Sequence, residues 1–103
     1  MEPPRYATLE PLKSIPELSF EALAGEIGRF QDRLSDDIDI GIIANGAGLI
    51  IHANQVRMSG QMVIFDGVDA DGREARLIQH YSQVNVQMVA VEKLQAEPQR
   101  IGF

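Results

Sequence analysis

Apolar residues recur every three or four positions in the N-terminal third of the chain, a spacing that places them on one face of an α-helix. Ser19 precedes this stretch, and its hydroxyl can accept a hydrogen bond from the first turn of a helix. Glu21 adds a negative charge near the positive end of the helix dipole. The pattern predicts a helix that begins after Ser19 and buries the stripe Phe20, Leu23, Ala24, Ile27, Phe30 and Leu34.

The period changes to two at Ile38, where isoleucines alternate with aspartates and glycine, as is typical of a half-buried β-strand. Four further extended segments follow, separated by the turn signals Asn45–Gly48, Ser59–Gly60 and Asp69–Gly72. Asn45-Gly46-Ala47-Gly48 is expected to form the first hairpin turn, because Asn-Gly tolerates the positive φ angles that a tight turn demands. The predicted strands span residues 38–42, 49–56, 61–66, 74–80 and 83–92, and the last can open with a helical turn.

These elements predict an α+β fold in which one N-terminal amphipathic helix packs on an antiparallel sheet of about five strands. The chain has 103 residues, of which 45% are apolar, which is enough for one hydrophobic core. Prolines at positions 3, 4 and 11 predict an extended leader over residues 1–15, followed by a single domain over residues 16–103.

The composition of the chain limits the cellular compartments and the classes of partner that we expect for this protein. The chain has no cysteine, which fits a reducing compartment, and no apolar run approaches the roughly 20 residues that span a bilayer. With no signal-peptide pattern, the expected location is the cytoplasm, without a membrane partner. The net charge is −6 and the basic residues are scattered, so we expect no nucleic-acid partner.

His52 and His80 are the two histidines of the chain, each on a predicted strand, and they are the candidate site residues for metal or acid–base chemistry. Neither histidine has a carboxylate or second ligand at a spacing typical of a zinc or catalytic site. Ser82 lies near His80 but lacks the strained turn of a nucleophilic serine. The sequence therefore predicts structural or surface histidines and no catalytic residue.

The aspartates offer no convincing metal site. Asp69, Asp71 and Gly72 resemble part of a calcium loop, but Gly67 and Ile78 occupy two positions where that loop needs ligands. A β-turn explains this segment. Asp36, Asp37 and Asp39 are interpreted as a solvated polar edge between helix and strand. We predict neither a metal nor a cofactor.

The C-terminal segment Arg100-Ile101-Gly102-Phe103 carries two large apolar side chains. Burying each would gain roughly 1.5–3 kcal/mol, so we expect Ile101 and Phe103 to dock on the body of the domain or on a partner. They are the predicted interaction surface of the chain.

Several segments resemble a family of small bacterial proteins that carry a domain of unknown function. The resemblance rests on Leu77-Ile78-Gln79-His80, Ser82-Gln83, Ala90-Val91 and Arg100-Ile101-Gly102-Phe103, with the Ser19 helix start, Phe30, Leu34 and Ile40-Gly41 in the N-terminal half. It covers roughly residues 16–103. The resemblance implies a bacterial intracellular protein and brings no activity, cofactor or binding residues.

A helix followed by five strands is also the order of elements in the Sm-like small barrels of bacterial RNA chaperones. Gly60-Gln61, Phe65-Asp66 and His80 with Ser82 resemble their motifs loosely, although Gln79 stands where they usually have a lysine. This resemblance implies a small barrel that binds RNA as the alternative fold and function.

An open sheet of about five strands has two edges that proteins usually cover, which favours an interaction module over an enzyme. The predicted function is a non-enzymatic protein-interaction or self-associating module, most simply a two-fold homodimer, although an unknown protein partner is also compatible. The alternatives are a small enzyme that uses a histidine with a carboxylate, and the Sm-like RNA binder.

Overall fold

The computed structural model describes residues 12–92 of the chain. It contains one helix and one five-stranded antiparallel sheet, which confirms the α+β fold. Residues 1–11 and 93–103 lie outside the described residues, and they include most of the predicted leader as well as Ile101 and Phe103. The elements are α1 Ile15–Asp32, β1 Ile38–Gly46, β2 Leu49–Ser59, β3 Met62–Asp69, β4 Glu74–His80, a 3-10 helix Tyr81–Gln83 and β5 Val86–Glu92.

Helix α1 begins earlier than predicted, because Ser14 rather than Ser19 caps it. The Ser14 hydroxyl oxygen accepts a hydrogen bond from the backbone N–H of Glu17 at 3.3 Å, and the same hydroxyl lies 3.1 Å from the Glu17 carboxylate. Pro16 sits in the first turn, where a helix does not need its missing N–H. The Ser-x-x-Glu spacing of a capping box therefore marks the true start.

The first hairpin turn lies within the predicted segment Asn45–Gly48, at its C-terminal half. Asn45 and Gly46 belong to β1, and Gly46 faces Leu49 across a two-residue loop. Ala47 and Gly48 form that loop with φ angles of 51° and 78°, the paired positive values of a type I′ turn. This loop sets the register in which Ala44 pairs with Ile51, and both side chains are fully buried in the core.

The strands are ordered β4-β3-β2-β1-β5, so the last strand returns to lie beside the first. The edges of the sheet are therefore β4 and β5, while β1 is central. This corrects the placement of Asp39: it lies in β1 opposite Val91 of β5 and is only 6% exposed, rather than on a solvated edge. The neighbouring Asp36 and Asp37 are exposed, as predicted.

One face of the sheet, called the inner face below, carries the hydrophobic core. Helix α1 covers it with Ile27, which is fully buried, and with Phe20, Leu23 and Phe30, while Leu34, just after the helix, also packs against the core. This confirms the predicted stripe. The sheet contributes Ile40, Ile42, Ala44, Ile51, Ala53, Val56, Val63, Phe65 and Leu77.

A β-bulge interrupts the pairing of β2 with β3 between Ala53 and Gln55. Asn54 is the extra residue there. On β3 the bulge faces Gly67, where a Cβ atom would lie 1.9 Å from the His52 carbonyl oxygen. Bulges increase strand twist, and this one lies in the middle of the sheet.

The sheet curls until the end of β4 approaches the end of β1. The Gln79 side-chain amide donates a hydrogen bond of 2.7 Å to the Asn45 carbonyl oxygen. Leu77 of β4 is also close to Gly46 of β1, because a Cβ atom at Gly46 would lie 3.3 Å from the Leu77 Cδ1 atom. Within residues 12–92, β4 and β5 do not pair with each other, so this part of the chain forms a curled, open sheet.

Candidate interaction site

The two histidines lie far apart on the face of the sheet opposite the core, called the outer face below. His52 of β2 is paired with Val68, near the end of β3. His80 of β4 is paired with Met62, the first residue of β3. Six residues of β3 separate these positions, which corresponds to on the order of 20 Å along a strand. The structure therefore does not bring His52 and His80 into one metal or acid–base site.

His80 instead anchors the 3-10 helix that follows it. Its Nδ1 atom accepts a hydrogen bond from the Ser82 backbone N–H at 3.3 Å and lies 2.8 Å from the Ser82 hydroxyl oxygen. Because a backbone N–H can only donate, the proton of the neutral ring is assigned to Nε2, which donates to the Gln61 side-chain oxygen at 3.0 Å. The Tyr81 ring is tilted against the imidazole at a centroid distance of 4.5 Å.

This arrangement contains a base beside a hydroxyl group, as in a nucleophilic serine site, but its third member is an amide rather than a carboxylate. The sharp strand-to-helix turn of a serine nucleophile is replaced by a single 3-10 turn that His80 caps. These hydrogen bonds link the end of β4 to the 3-10 helix and to Gln61.

A charged cluster lies on the outer face of β2, β3 and β4. The Arg76 Nε atom donates to one Asp66 oxygen at 2.5 Å, and the Arg57 Nε atom lies 3.5 Å from the other. The hydrogen bond from Arg76 lowers the pKa of Asp66; partial burial opposes this effect, and the positive charges of Arg76 and Arg57 reinforce it. The carboxylate therefore ties three strands together as an anion.

Beside this cluster, a shallow depression of about 560 Å³ opens between the bulge in β2 and the β4 edge. Its wall includes the carboxylates of Asp66 and Glu74 and the guanidinium of Arg76. Among residues 12–92, the Glu74 carboxylate takes part in no ion pair or hydrogen bond, so it remains available to a partner. The full lining is Asn54, Gln55, Asp66, Gly67, Val68, Glu74, Ala75 and Arg76.

The hydrogen-bond ladder between β3 and β4 shows which backbone groups of β4 are unused. Asp69 N–H donates to the Arg73 carbonyl oxygen, and Tyr81 N–H donates to the Gln61 carbonyl oxygen, each at 2.9 Å. Because bonded pairs alternate along an antiparallel ladder, residues 75, 77 and 79 bond to β3. The backbone groups of Glu74, Arg76 and Ile78 therefore point away from the sheet, and we call them the β4 open edge.

The β4 open edge is accessible and partly apolar. Ile78 is 53% exposed on the outer face, and Met62 of β3, next to His80, is 36% exposed. Arg73 precedes the strand and pairs with Asp69 and Asp71 in the turn.

The segment that resembled a calcium loop is a turn. Gly72 adopts a φ of 79° and donates its N–H to the Asp69 carbonyl oxygen. One oxygen of the Asp69 carboxylate accepts the backbone N–H groups of Asp71 and Arg73. The hydrogen bond from the Arg73 backbone is the main reason that the pKa of Asp69 is lowered. Across residues 12–92, no group of three or more histidine or acidic side chains is placed to hold a metal ion.

Comparison with known proteins adds no relative. Neither a family model, nor a curated protein, nor a solved structure matches the chain. Helix α1, the one helix of the described segment that is long enough to examine, lacks the apolar character needed to cross a bilayer.

The cluster of Arg57, Asp66 and Arg76 corresponds to no motif in the sequence. Counting outward from the predicted Asp69–Gly72 turn would place Asp66 opposite Ala75, because the ladder is in fact centred on Asp71, with Asp69 facing Arg73 and Asp66 facing Arg76. The bulge shifts the pairing of β2 by one residue, so the same counting could not place Arg57. Gly67 within a strand pattern was the available hint of a bulge.

Proposed function

We propose that this chain is a non-enzymatic, self-associating module in which two copies pair along the β4 open edge. The observation that carries the proposal is the row of backbone groups on Glu74, Arg76 and Ile78 that bond to no residue within 12–92, together with the exposed side chain of Ile78. Exposed strand edges bind other strands readily, because each new backbone hydrogen bond satisfies groups that were unpaired.

The other edge, β5, is less suited to pair with its own copy. Glu92 is the one charged residue of β5, so antiparallel pairing with a second β5 offers no opposite charge. Strand β4 carries Glu74 near one end and His80 at the other. Antiparallel pairing of two β4 strands brings Glu74, a hydrogen-bond acceptor, towards His80 of the second copy, a hydrogen-bond donor, which favours this edge.

The outer face supports an interface more than an enzyme. The depression beside β4 is shallow and is bounded by side chains other than the histidines. His80 meets an amide oxygen and a hydroxyl rather than a carboxylate, which leaves it without the partner expected of an acid–base pair. The RNA-binding alternative has no support from charge, since Asp66 neutralises part of the Arg57 and Arg76 pair.

A proline substitution tests the edge directly. Ile78→Pro removes an N–H that bonds to nothing within the sheet, so we expect the variant to stay folded and become monomeric. Ala75→Pro is the matched control, because the Ala75 N–H bonds to β3 and its loss should unfold the strand. The measurement is sedimentation velocity across a concentration series, with circular dichroism to monitor folding.

The wild-type chain should pass from monomer to dimer as its concentration rises into the high micromolar range. A constant mass of one chain would overturn the proposal. A dimer that persists in folded Ile78→Pro would show that another surface mediates association. Should Ile78→Pro fail to fold, Ile78→Lys adds a like charge from each copy and should also give a monomer. Rings larger than a dimer would favour the Sm-like alternative.

A further inference from the structure

We infer the register of this pairing: the two-fold axis passes through Leu77, so that Glu74 of each copy lies opposite His80 of the other. The inference rests on the proposed self-association through β4. It extends that proposal by identifying which residues of the two copies meet and by assigning the unpaired Glu74 carboxylate a partner.

Backbone geometry limits the possible registers to a few. Two open edges form hydrogen bonds only when a residue that points outward faces another that points outward. On β4 these residues are Glu74, Arg76 and Ile78, with His80 next in the alternation. A two-fold pairing therefore matches even-numbered residues with even-numbered residues, and its axis must pass through a residue rather than between two.

Strand length and charge then select among these registers. An axis at Arg76 places two guanidinium groups directly opposite each other and leaves His80 unpaired. An axis at Ile78 places Arg76 opposite His80 and leaves Glu74 unpaired, while an axis at Ala75 uses only the start of the strand. An axis at Leu77 alone pairs all seven residues of β4 with the same seven residues of the second copy.

The Leu77 register also suits the side chains of the outer face. Glu74, at the rim of the depression, faces the imidazole of His80 from the second copy. The His80 Nε2–H, which now donates to the Gln61 amide oxygen, gains a carboxylate as a stronger acceptor. Arg76 faces Ile78, and its aliphatic stem can cover that exposed isoleucine.

Disulfide trapping measures this register, because the chain has no cysteine of its own. Glu74→Cys is mixed in turn with Arg76→Cys, Ile78→Cys and His80→Cys under mild oxidation. Opposite residues of a hydrogen-bonded pair have Cα atoms about 5.5 Å apart, a distance that a disulfide can span. Two copies of position 74 are six residues apart along the ladder, roughly 20 Å, and cannot be bridged.

We expect a crosslinked heterodimer in the mixture of Glu74→Cys with His80→Cys, and no Glu74→Cys homodimer. Crosslinking with Arg76→Cys would indicate an axis at Ala75, and crosslinking with Ile78→Cys an axis at Arg76; either result would overturn the inferred register. If no mixture crosslinks while sedimentation still shows a dimer, the register is wrong but self-association stands. If sedimentation shows only monomers, both proposals fail together. A mixture of Arg76→Cys with Ile78→Cys, which retains His80, should also crosslink in the inferred register.

Discussion

At the scale of single residues, two glycines of this chain have opposite effects on the stability of the fold. Gly67 faces the β2 bulge so closely that a methyl group would meet the backbone of His52 and Ala53. Gly28 lies within α1 and has open space around the position of a Cβ atom. The first glycine is required by packing, whereas the second weakens the helix because glycine has high conformational entropy when unfolded.

Alanine substitutions at these two positions should therefore change stability in opposite directions. Gly67→Ala should lower the free energy of unfolding by about 1–3 kcal/mol or more, since strand backbone must move. Gly28→Ala should raise it by about 1 kcal/mol. Urea denaturation followed by circular dichroism measures both. A Gly67→Ala variant as stable as the wild type would show that the bulge does not press on β3 as described.

At the scale of secondary-structure elements, the start of α1 depends on one local motif. The Ser14 hydroxyl bonds to the Glu17 carboxylate and accepts the backbone N–H of Glu17, while Ser19 lies exposed in the second turn without a capping role. The helix also begins before the apolar stripe that it presents to the core. Its N-terminus is therefore stabilised by capping, and its middle by burial of Ile27.

Substituting the two serines separates these roles. Ser14→Ala should destabilise the protein by about 1 kcal/mol, because a cap to the first turn is lost. Ser19→Ala should leave stability unchanged or raise it slightly, since alanine favours helix interiors. Thermal unfolding of the two variants, compared with the wild type, gives the result. Equal losses for both, or a larger loss for Ser19→Ala, would contradict the assigned cap.

At the scale of the whole molecule, acid should weaken the fold through its bonded carboxylates. The pKa of Asp66 and the pKa of Asp69 are both lowered in the folded state, chiefly by hydrogen bonds from Arg76 and from the Arg73 backbone respectively. On acidification the unfolded chain takes up protons first, near its ordinary aspartate pKa of about 3.9. The stabilisation by the ionised carboxylates of Asp66 and Asp69 is therefore complete above that pKa, and it is lost as the pH falls through their lower folded-state pKa values.

We expect the free energy of unfolding to decrease as the pH falls below about 5. Asp66→Asn should be less stable than the wild type at neutral pH and should lose less stability on acidification, because one proton-linked group is gone. Urea titrations at a series of pH values measure both effects. An identical pH dependence in the variant would show that Asp66 does not link protonation to folding.

Much of the architecture followed from local patterns, because periodicity depends on a few neighbouring residues. The stripe from Phe20 to Leu34 identified the helix face, and alternation identified five strands. The residues at which these elements begin and end were harder to predict from the sequence. Alternation alone did not show that Ala47-Gly48, rather than Asn45-Gly46, makes the turn, because either pair can adopt a tight loop and the register of buried residues decides.

The candidate site followed the sequence only in part. The sequence identified the two histidines as the candidates but did not show whether they meet, and only the strand pairing shows that they lie apart. The charged cluster at Asp66 and the β4 open edge depend on which strand lies beside which. Residues distant in sequence meet there. The pattern of apolar and polar residues does not show the bulge that shifts the pairing of β2 with β3 by one residue.

The sequence by itself determined that this protein has one amphipathic helix before a series of short strands, since side-chain periodicity is a property of the local backbone. Only the tertiary structure decided that β5 returns beside β1, that Asp39 is buried, and that β4 has an unpaired side. The physical reason is that strand order and edges arise from hydrogen bonds between distant segments. Those bonds involve backbone groups that every residue shares, so side-chain identity specifies them only through the packing of the whole core.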